Sequence, residues 1–323
     1  MPAEIGIGLA ALGRPGYINL GHADDLGADY SVSAMQANAH AVLDAAFDSG
    51  VRYFDAARSY GRAEEFLASW IGARGFSASE MRVGSKWGYT YTADWAVEVP
   101  AGTQHEVKEH SLENLQKQYE LSQQQFGDHL NLYQIHSATL ESGVLDNEAV
   151  LLRLNEMKQS GIEIGLSVSG VNQSAVIEKA IAIEFDGRRL FDSVQATWNL
   201  LERSAEAALA KAHQSGMAVI VKESLANGRL TERNDAAAFA ACRDVLNKTA
   251  GELDATWDAI AIAAAMNQPW ATTVLSGAAS VTHLDSNLKA RDIVWTEQLQ
   301  QRLQTVAQPA EDYWDQRSSL AWN

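Results

Sequence analysis

Val51-Arg-Tyr-Phe-Asp55-Ala-Ala-Arg-Ser-Tyr60-Gly-Arg-Ala-Glu64 is the stretch on which the reading of the whole chain turns. Val51, Tyr53 and Asp55 alternate with Arg52 and Phe54, the period of a short strand. A loop and then a helix follow. A carboxylate therefore stands at the carboxyl end of the strand, and a phenol follows five residues later, where the helix begins. An acid and a phenol at such a corner point to chemistry if other strand ends supply partners.

Working outward, an apolar, Gly-spaced strand over 5–11 precedes this unit. Gly13-Arg14-Pro15-Gly16 opens a loop to about Tyr30, long enough to cover something. Ser31 or Ser33 can cap a helix that runs to Ser49 and stops at Gly50. Downstream, the pattern predicts helix 61–74, strand 81–86, an aromatic loop (Trp87, Tyr89, Tyr91, Trp95) and a long polar helix over 104–126. Strands at 129–136, 162–167, 191–197, 217–222 and 272–276 then alternate with helices at 147–160, 173–184, 204–215, 254–267 and 281–289. An extra surface helix is expected within 228–251, another near 296–307, and the tail 313–322 carries three aromatics.

Eight strands alternating with helices imply a parallel sheet with helices outside. At 323 residues this matches a closed (β/α)₈ TIM barrel with extra surface helices and a C-terminal tail over its mouth. A doubly wound sheet is the poorer fit. Gly6-Ile-Gly8 begins a dinucleotide fingerprint, but Arg14-Pro15 and a long loop stand where its helix should start. With no Pro-, Gly- or Ser-rich linker, 1–323 reads as one domain.

Composition limits the function. A formal charge of −16 argues against nucleic acid and anionic membranes, and any anionic ligand must be held by dipoles or a few placed cations. The lone Cys242 allows no internal disulfide and no cysteine metal cluster, and no His/Asp/Glu group has metal spacing. The start has no signal-peptide pattern, and no apolar run reaches the roughly 18 residues of a membrane helix. A cytoplasmic enzyme with a small-molecule substrate is the expectation; the oligomeric state is not legible.

In a parallel barrel the chemistry lies at the carboxyl ends of the strands. Parity places Asp55, Lys86, His136 and Ser167 in inward-facing sets, each at the end of its strand. Singly they have bland readings: a helix cap, a solvated lysine, a hydrogen-bonded histidine, a packing tyrosine. Together Asp55, Tyr60, Lys86 and His136 form an acid–base system. A free tyrosine near pKa 10 exchanges protons poorly at neutral pH. A neighbouring lysine would lower that value, a carboxylate would hold the lysine, and a histidine would orient a carbonyl oxygen. No residue stands out as a nucleophile, so the attacking group is expected from a cofactor, most simply as hydride.

Asp55-x-Ala-x-x-Tyr60-Gly-x-x-Glu64 resembles the signature of the aldo-keto reductases, and Gly84-Ser-Lys86 and Tyr133-Gln-Ile-His136 fall where that family has its lysine and histidine. Similarity continues through Gly165-Leu-Ser167, Val194-Gln195, Leu225-Ala-Asn-Gly228-Arg-Leu-Thr231 and 276–287. The resemblance implies a barrel that binds NADP or NAD across its mouth. It makes Tyr60 the general acid/base, with Lys86, Asp55 and His136 in support. Ser167 and Gln195 would hold the carboxamide, Ser276, Gly277 and the following helix N-terminus the phosphates, and Asn287 the adenine.

The departures also matter. Val168 replaces a frequent Asn, and Lys222 takes the position of a nicotinamide-stacking Tyr. Where NADP-specific members have Arg or Lys, this chain has Gly277, Ala279 and His283, with Lys289 and Arg291 only further on. NAD(H) should therefore be accepted, although family frequency favours NADP. A carbonyl or sugar substrate is expected, interconverted with an alcohol or lactol. The alternatives are a cofactor-binding redox sensor with little turnover and, more remotely, a barrel hydrolase or aldolase with Lys86 as Schiff base.

Overall fold

The computed structural model describes residues 2–27, 29–100 and 102–323. Eight parallel strands close into a barrel: β1 (Glu4–Gly8), β2 (Tyr53–Asp55), β3 (Arg82–Trp87), β4 (Leu130–Ala138), β5 (Glu163–Val168), β6 (Ser193–Thr197), β7 (Ala218–Lys222) and β8 (Thr273–Ser276). Each pairs with the next in sequence, and β8 returns to β1 with Glu4 beside Thr273 and Ile7 beside Ser276. The helices that follow the strands are α1 (Val32–Asp48), α2 (Ala63–Arg74), α3 (Leu112–Phe126), α4 (Glu148–Gln159), α5 (Gln173–Ile181), α6 (Glu206–Gln214), α7 (Trp257–Met266) and α8 (Val281–Leu288). This is the (β/α)₈ TIM barrel that alternation implied.

Local chemistry starts four of these helices at a side-chain cap. Ser31, Ser111, Asn147 and Ser280 each accept a hydrogen bond from the backbone N–H three residues on, capping α1, α3, α4 and α8. Inside the barrel, Tyr53, Leu132, Ile220 and Leu275 form a small apolar cluster below the site. A much larger core lies between strands and helices, and there Trp70 is fully buried and ties α2 to α1 through Asp44 Oδ1 at 2.7 Å. Helix α7 is buried on every side because the extra helix Ala240–Leu253 packs on it.

Several boundaries differ from the sequence reading. The long polar helix begins only at Leu112, since Glu106–Lys108 pairs antiparallel with Tyr89–Tyr91 and turns the aromatic loop into a hairpin. Helix α5 stops at Ile181, and Glu184–Phe185 pairs with Arg188–Arg189 around Gly187 at φ 69°. β1 ends at Gly8, and the chain then presses against the β2 corner. There a Cβ on Gly13 would collide with the Tyr60 carbonyl and with Ala63.

The tail is helical over Ala310–Ser318, with Tyr313 and Trp314 buried in the core. Asn199 Nδ2 donates to the Tyr313 hydroxyl at 2.9 Å. Beyond this helix, Tyr17 and Asn323 exchange two backbone hydrogen bonds of 3.1 and 3.2 Å, and Asn323 Oδ1 accepts from His22 N at 2.9 Å. Of the tail's three aromatics, only Trp322 faces the mouth of the barrel. Among the described residues, no helix is long and apolar enough to cross a membrane.

Candidate active site

A cavity of about 450 Å³ opens at the carboxyl ends of the strands, the size range of a small-molecule site. Asp55, Tyr60, His136, Ser167 and Gln195 are among its lining residues. Lys86 lies behind them, with no exposed surface. Its ammonium pairs with Asp55 Oδ2 and donates to the Ala56 carbonyl at 3.0 Å. Asp55 Oδ1 accepts from the Tyr53 hydroxyl, Gln134 Nε2 and Gln195 Nε2, each at 3.0 Å. A buried charge pair is tolerated when its remaining lone pairs are satisfied, and here both carboxylate oxygens are.

The Tyr60 hydroxyl lies 3.5 Å from His136 Nε2, and the Lys86 ammonium 4.7 Å from the centre of the Tyr60 ring. His136 Nδ1 is 3.3 Å from Ser59 Oγ, so both ring nitrogens have a hydroxyl neighbour. Behind the corner, buried Glu64 accepts from Ser85 Oγ at 2.5 Å and Ser122 Oγ at 2.7 Å and pairs with Arg58, locking α2 to β3 and α3. The Glu that closes the signature thus serves as an anchor for the corner.

Electrostatics give the groups distinct protonation states. Burial, then the Asp55 charge, pushes the Tyr60 hydroxyl well above its ordinary pKa. Arg14 is the strongest charge opposing that rise. Lys86 was expected to lower the phenol, but the hydroxyl stands above its ordinary value, and the Asp55 carboxylate that holds Lys86 is itself one of the charges raising it. Burial, aided by Lys86 and Arg14, drives His136 well below the ordinary histidine value. At neutral pH the pair is a neutral phenol and a neutral imidazole.

Of the cofactor residues expected from the sequence, all but one line the cavity, whereas Trp87, Tyr89, Tyr91 and Trp95 of the aromatic loop do not. Ser167 Oγ accepts from the Ser137 N–H at 2.8 Å. Lys222 Nζ donates to Thr197 Oγ1 at 2.8 Å and Ser169 Oγ at 3.0 Å, and burial lowers its pKa to about 8. Gly277, His283 and Asn287 face the far end of the cavity. Ser276 does not. It is buried beneath the wall, where its Oγ accepts from Asn287 Nδ2 at 2.8 Å and orients that amide.

Several lining residues escaped the sequence reading. Arg14, Tyr17, Glu106, Glu223 and Arg317 surround the near end, beside Trp322 of the tail that was expected over the mouth. Arg317 Nε donates to Glu223 Oε2 at 2.8 Å, and burial opposed by this partner leaves the Glu223 carboxyl at about 2. At the far end Arg233 pairs with Asp25 and reaches His283 Nε2 at 3.3 Å. The sequence signals were the loop extending to Tyr30 and the aromatic tail, because these contacts join segments about 50 to 200 residues apart.

Residues 4–308 match the family model described as the Aldo/keto reductase family. An uncharacterized oxidoreductase of Bacillus subtilis, YqkF, is 22% identical over 279 residues, 80% of this chain and 84% of that protein. Among solved structures, the holo form of aldo-keto reductase AKR11C1 from Bacillus halodurans is 19% identical with a TM-score of 0.69, covering 95% of this chain and 93% of that one.

Proposed function

The chain belongs to the Aldo/keto reductase family, hence to the nicotinamide-dependent oxidoreductases, and from that premise we propose that it interconverts a polar aldehyde, ketone or sugar with the corresponding alcohol or lactol. The observation that carries the proposal is the convergence of the Tyr60 hydroxyl and His136 Nε2 on the cavity floor, backed by the buried Lys86–Asp55 pair. A bound nicotinamide would supply or accept the hydride. This chain's residues handle the rest of the reaction. A substrate oxygen between Tyr60 and His136 would receive a hydrogen bond from each when both are neutral donors. Tyr60 then gives its proton as charge develops on that oxygen, and in the oxidative direction takes one back. A phenol held above its ordinary pKa is protonated at neutral pH, the state from which carbonyl reduction starts.

The residues along the cavity fit an extended dinucleotide. The Ser167 hydroxyl and the Gln195 carboxamide oxygen suit a nicotinamide amide, Lys222 stands on the same wall, and Gly277 and the N-terminus of α8 suit a pyrophosphate. Ser276 supports this end indirectly, by orienting Asn287. We read NAD(H) as accepted beside NADP(H). Arg233, the cation nearest His283, is committed to Asp25, and Glu232 and Asp258 also line this region, so a 2′-phosphate meets carboxylates while ribose hydroxyls find acceptors. At the near end Glu106, Glu223, Arg14 and Trp322 offer the mixture of charged acceptors, donors and an aromatic face that suits a polyhydroxylated substrate.

The unit is taken as one barrel domain over 1–323, and the unpaired Cys242 accords with a cytoplasmic setting. The test is a screen of aldehydes and ketones with NADH and NADPH, and of sugars with the oxidised cofactors. Multiple turnovers are expected. Tight cofactor binding with at most one turnover across the panel would favour a redox-sensing role instead. A hundredfold preference for NADP over NAD in direct binding would overturn the cofactor reading.

A further inference from the structure

We infer that Arg14 is a positioning residue of the proton-transfer system, its guanidinium held against the Tyr60 ring so that, with Glu106 as its counter-ion, it sets how readily the phenol parts with its proton. The inference rests on Tyr60 being the general acid/base. Arg14 lies in the loop after β1, outside the four residues at the cavity floor, and is only 3% exposed. Its guanidinium carbon is 5.3 Å from the centre of the Tyr60 ring, 5.2 Å from that of Tyr17 and 4.8 Å from that of Trp322, so three aromatic rings surround it. One nitrogen, Nη1, donates to the Ser59 carbonyl at 3.1 Å and to Glu106 Oε2 at 3.0 Å. The first of these bonds fixes the cation to the residue directly before Tyr60.

The charges around the phenol show why this cation matters. From β2 comes Asp55, from β3 Lys86, and from β4 His136, which is neutral at ordinary pH. After β7 come Lys222 and Glu223, the latter gripped by Arg317, and the hairpin brings Glu106. Tyr17 is neutral, its hydroxyl raised by burial. Lys86 and Arg317 face buried carboxylates that offset their fields. Arg14 instead meets a carboxylate that is 24% exposed and is held through a single nitrogen, so water screens the anion more than the cation. Of the two cations set over the Tyr60 ring, Arg14 and Lys86, Arg14 is thus the one whose partner carboxylate is not fully buried. A cation on an aromatic face is attracted to the neutral phenol and more strongly to the phenolate. The loop after β1, the hairpin and the tail therefore all bear on the ionisation of a residue that none of them contains.

Two substitutions of opposite sign test this. Arg14→Met removes the cation, and Glu106→Gln removes its counter-charge. The first readout is the high-pH limb of kcat/KM for carbonyl reduction, which requires protonated Tyr60. The second is the ¹³Cζ resonance of Tyr60 in tyrosine-labelled protein, assigned by its loss in Tyr60→Phe, which needs no turnover. Arg14→Met should move Tyr60 ionisation to higher pH by about one unit, and Glu106→Gln should move it lower by a comparable or smaller amount. Arg14→Lys should restore most of the wild-type position. Should Arg14→Met fail to fold, the downward shift in Glu106→Gln decides alone. No shift in either variant, or shifts of the same sign, would overturn the inference and reduce Arg14 to a packing residue. If Tyr60→Phe keeps its turnover, the general-acid reading fails instead, which separates the two failures.

Discussion

At the Tyr60 end of the cavity the chemistry hangs from strand ends. Asp55, Lys86 and His136 close β2, sit near the end of β3 and sit near the end of β4, and all three are at most 8% exposed. At the Asn287 end the groups come from the short helix His22–Leu26 that carries Asp25, the loop around Arg233 and the turns of α8, and Arg233 is 41% exposed. A strand end is fixed by ladder hydrogen bonds on both sides, so it can hold a desolvated ion pair in place. A pair between loops keeps some water and is correspondingly weaker. The proton-transfer end is therefore rigid and costly to disturb, while the far end is adjustable.

That contrast can be broken or sharpened by measurement. Lys86→Met leaves Asp55 ionised and without its cation in the barrel interior, and should cost about 3–5 kcal/mol in urea unfolding besides abolishing turnover. A loss below about 1 kcal/mol would mean that the pair is not desolvated as described. Acid should act next. Burial lowers His22 and His110 to about 4, so the unfolded chain takes up these protons near pH 6.5 while the folded one does not. Their neutral burial is fully compatible with folding above that range, and stability falls as pH drops from about 6.5 towards 4, by roughly 2–3 kcal/mol for each histidine. A melting temperature that stays flat between pH 7.5 and 4.5 would contradict this.

Glu223→Gln is expected to cost about 2 kcal/mol by leaving Arg317 short of its partner, and to speed hydrogen exchange over 310–318 ahead of the barrel strands. Uniform protection across the chain would show that the tail does not depend on this pair. Arg233→Ala should cost less than Glu223→Gln, because Arg233 is 41% exposed, although its Asp25 partner is only 3% exposed. The same change should nonetheless alter the relative affinity for NAD and NADP, and an unaltered ratio would remove Arg233 from the cofactor site.

The same difference explains what could be read from the sequence. Strand parity needs only neighbours in sequence, so Asp55, Lys86 and His136 were legible as one inward-facing group, and the helix starts after Ser31 and Asn147 were legible too, whereas the start after Ser111 was hidden by the polar run before it. The Tyr89–Tyr91 and Glu106–Lys108 hairpin was hidden because its strands are only three residues long and the second continues the polar pattern of α3. Arg14 and Arg233 looked like ordinary loop residues. Their roles depend on Trp322, Glu106 and Asp25, which arrive from distant segments and leave no local spacing to detect.

The central claim concerns Tyr60, and the direct measurement is turnover and cofactor binding of Tyr60→Phe beside the wild type with the best substrate of the screen. Removing one oxygen leaves the Lys86–Asp55 pair and the cavity wall intact. Turnover is expected to fall by about 10²–10⁴-fold while cofactor affinity stays unchanged. A variant that still turns over at the wild-type rate would contradict the assignment of Tyr60 as the proton donor.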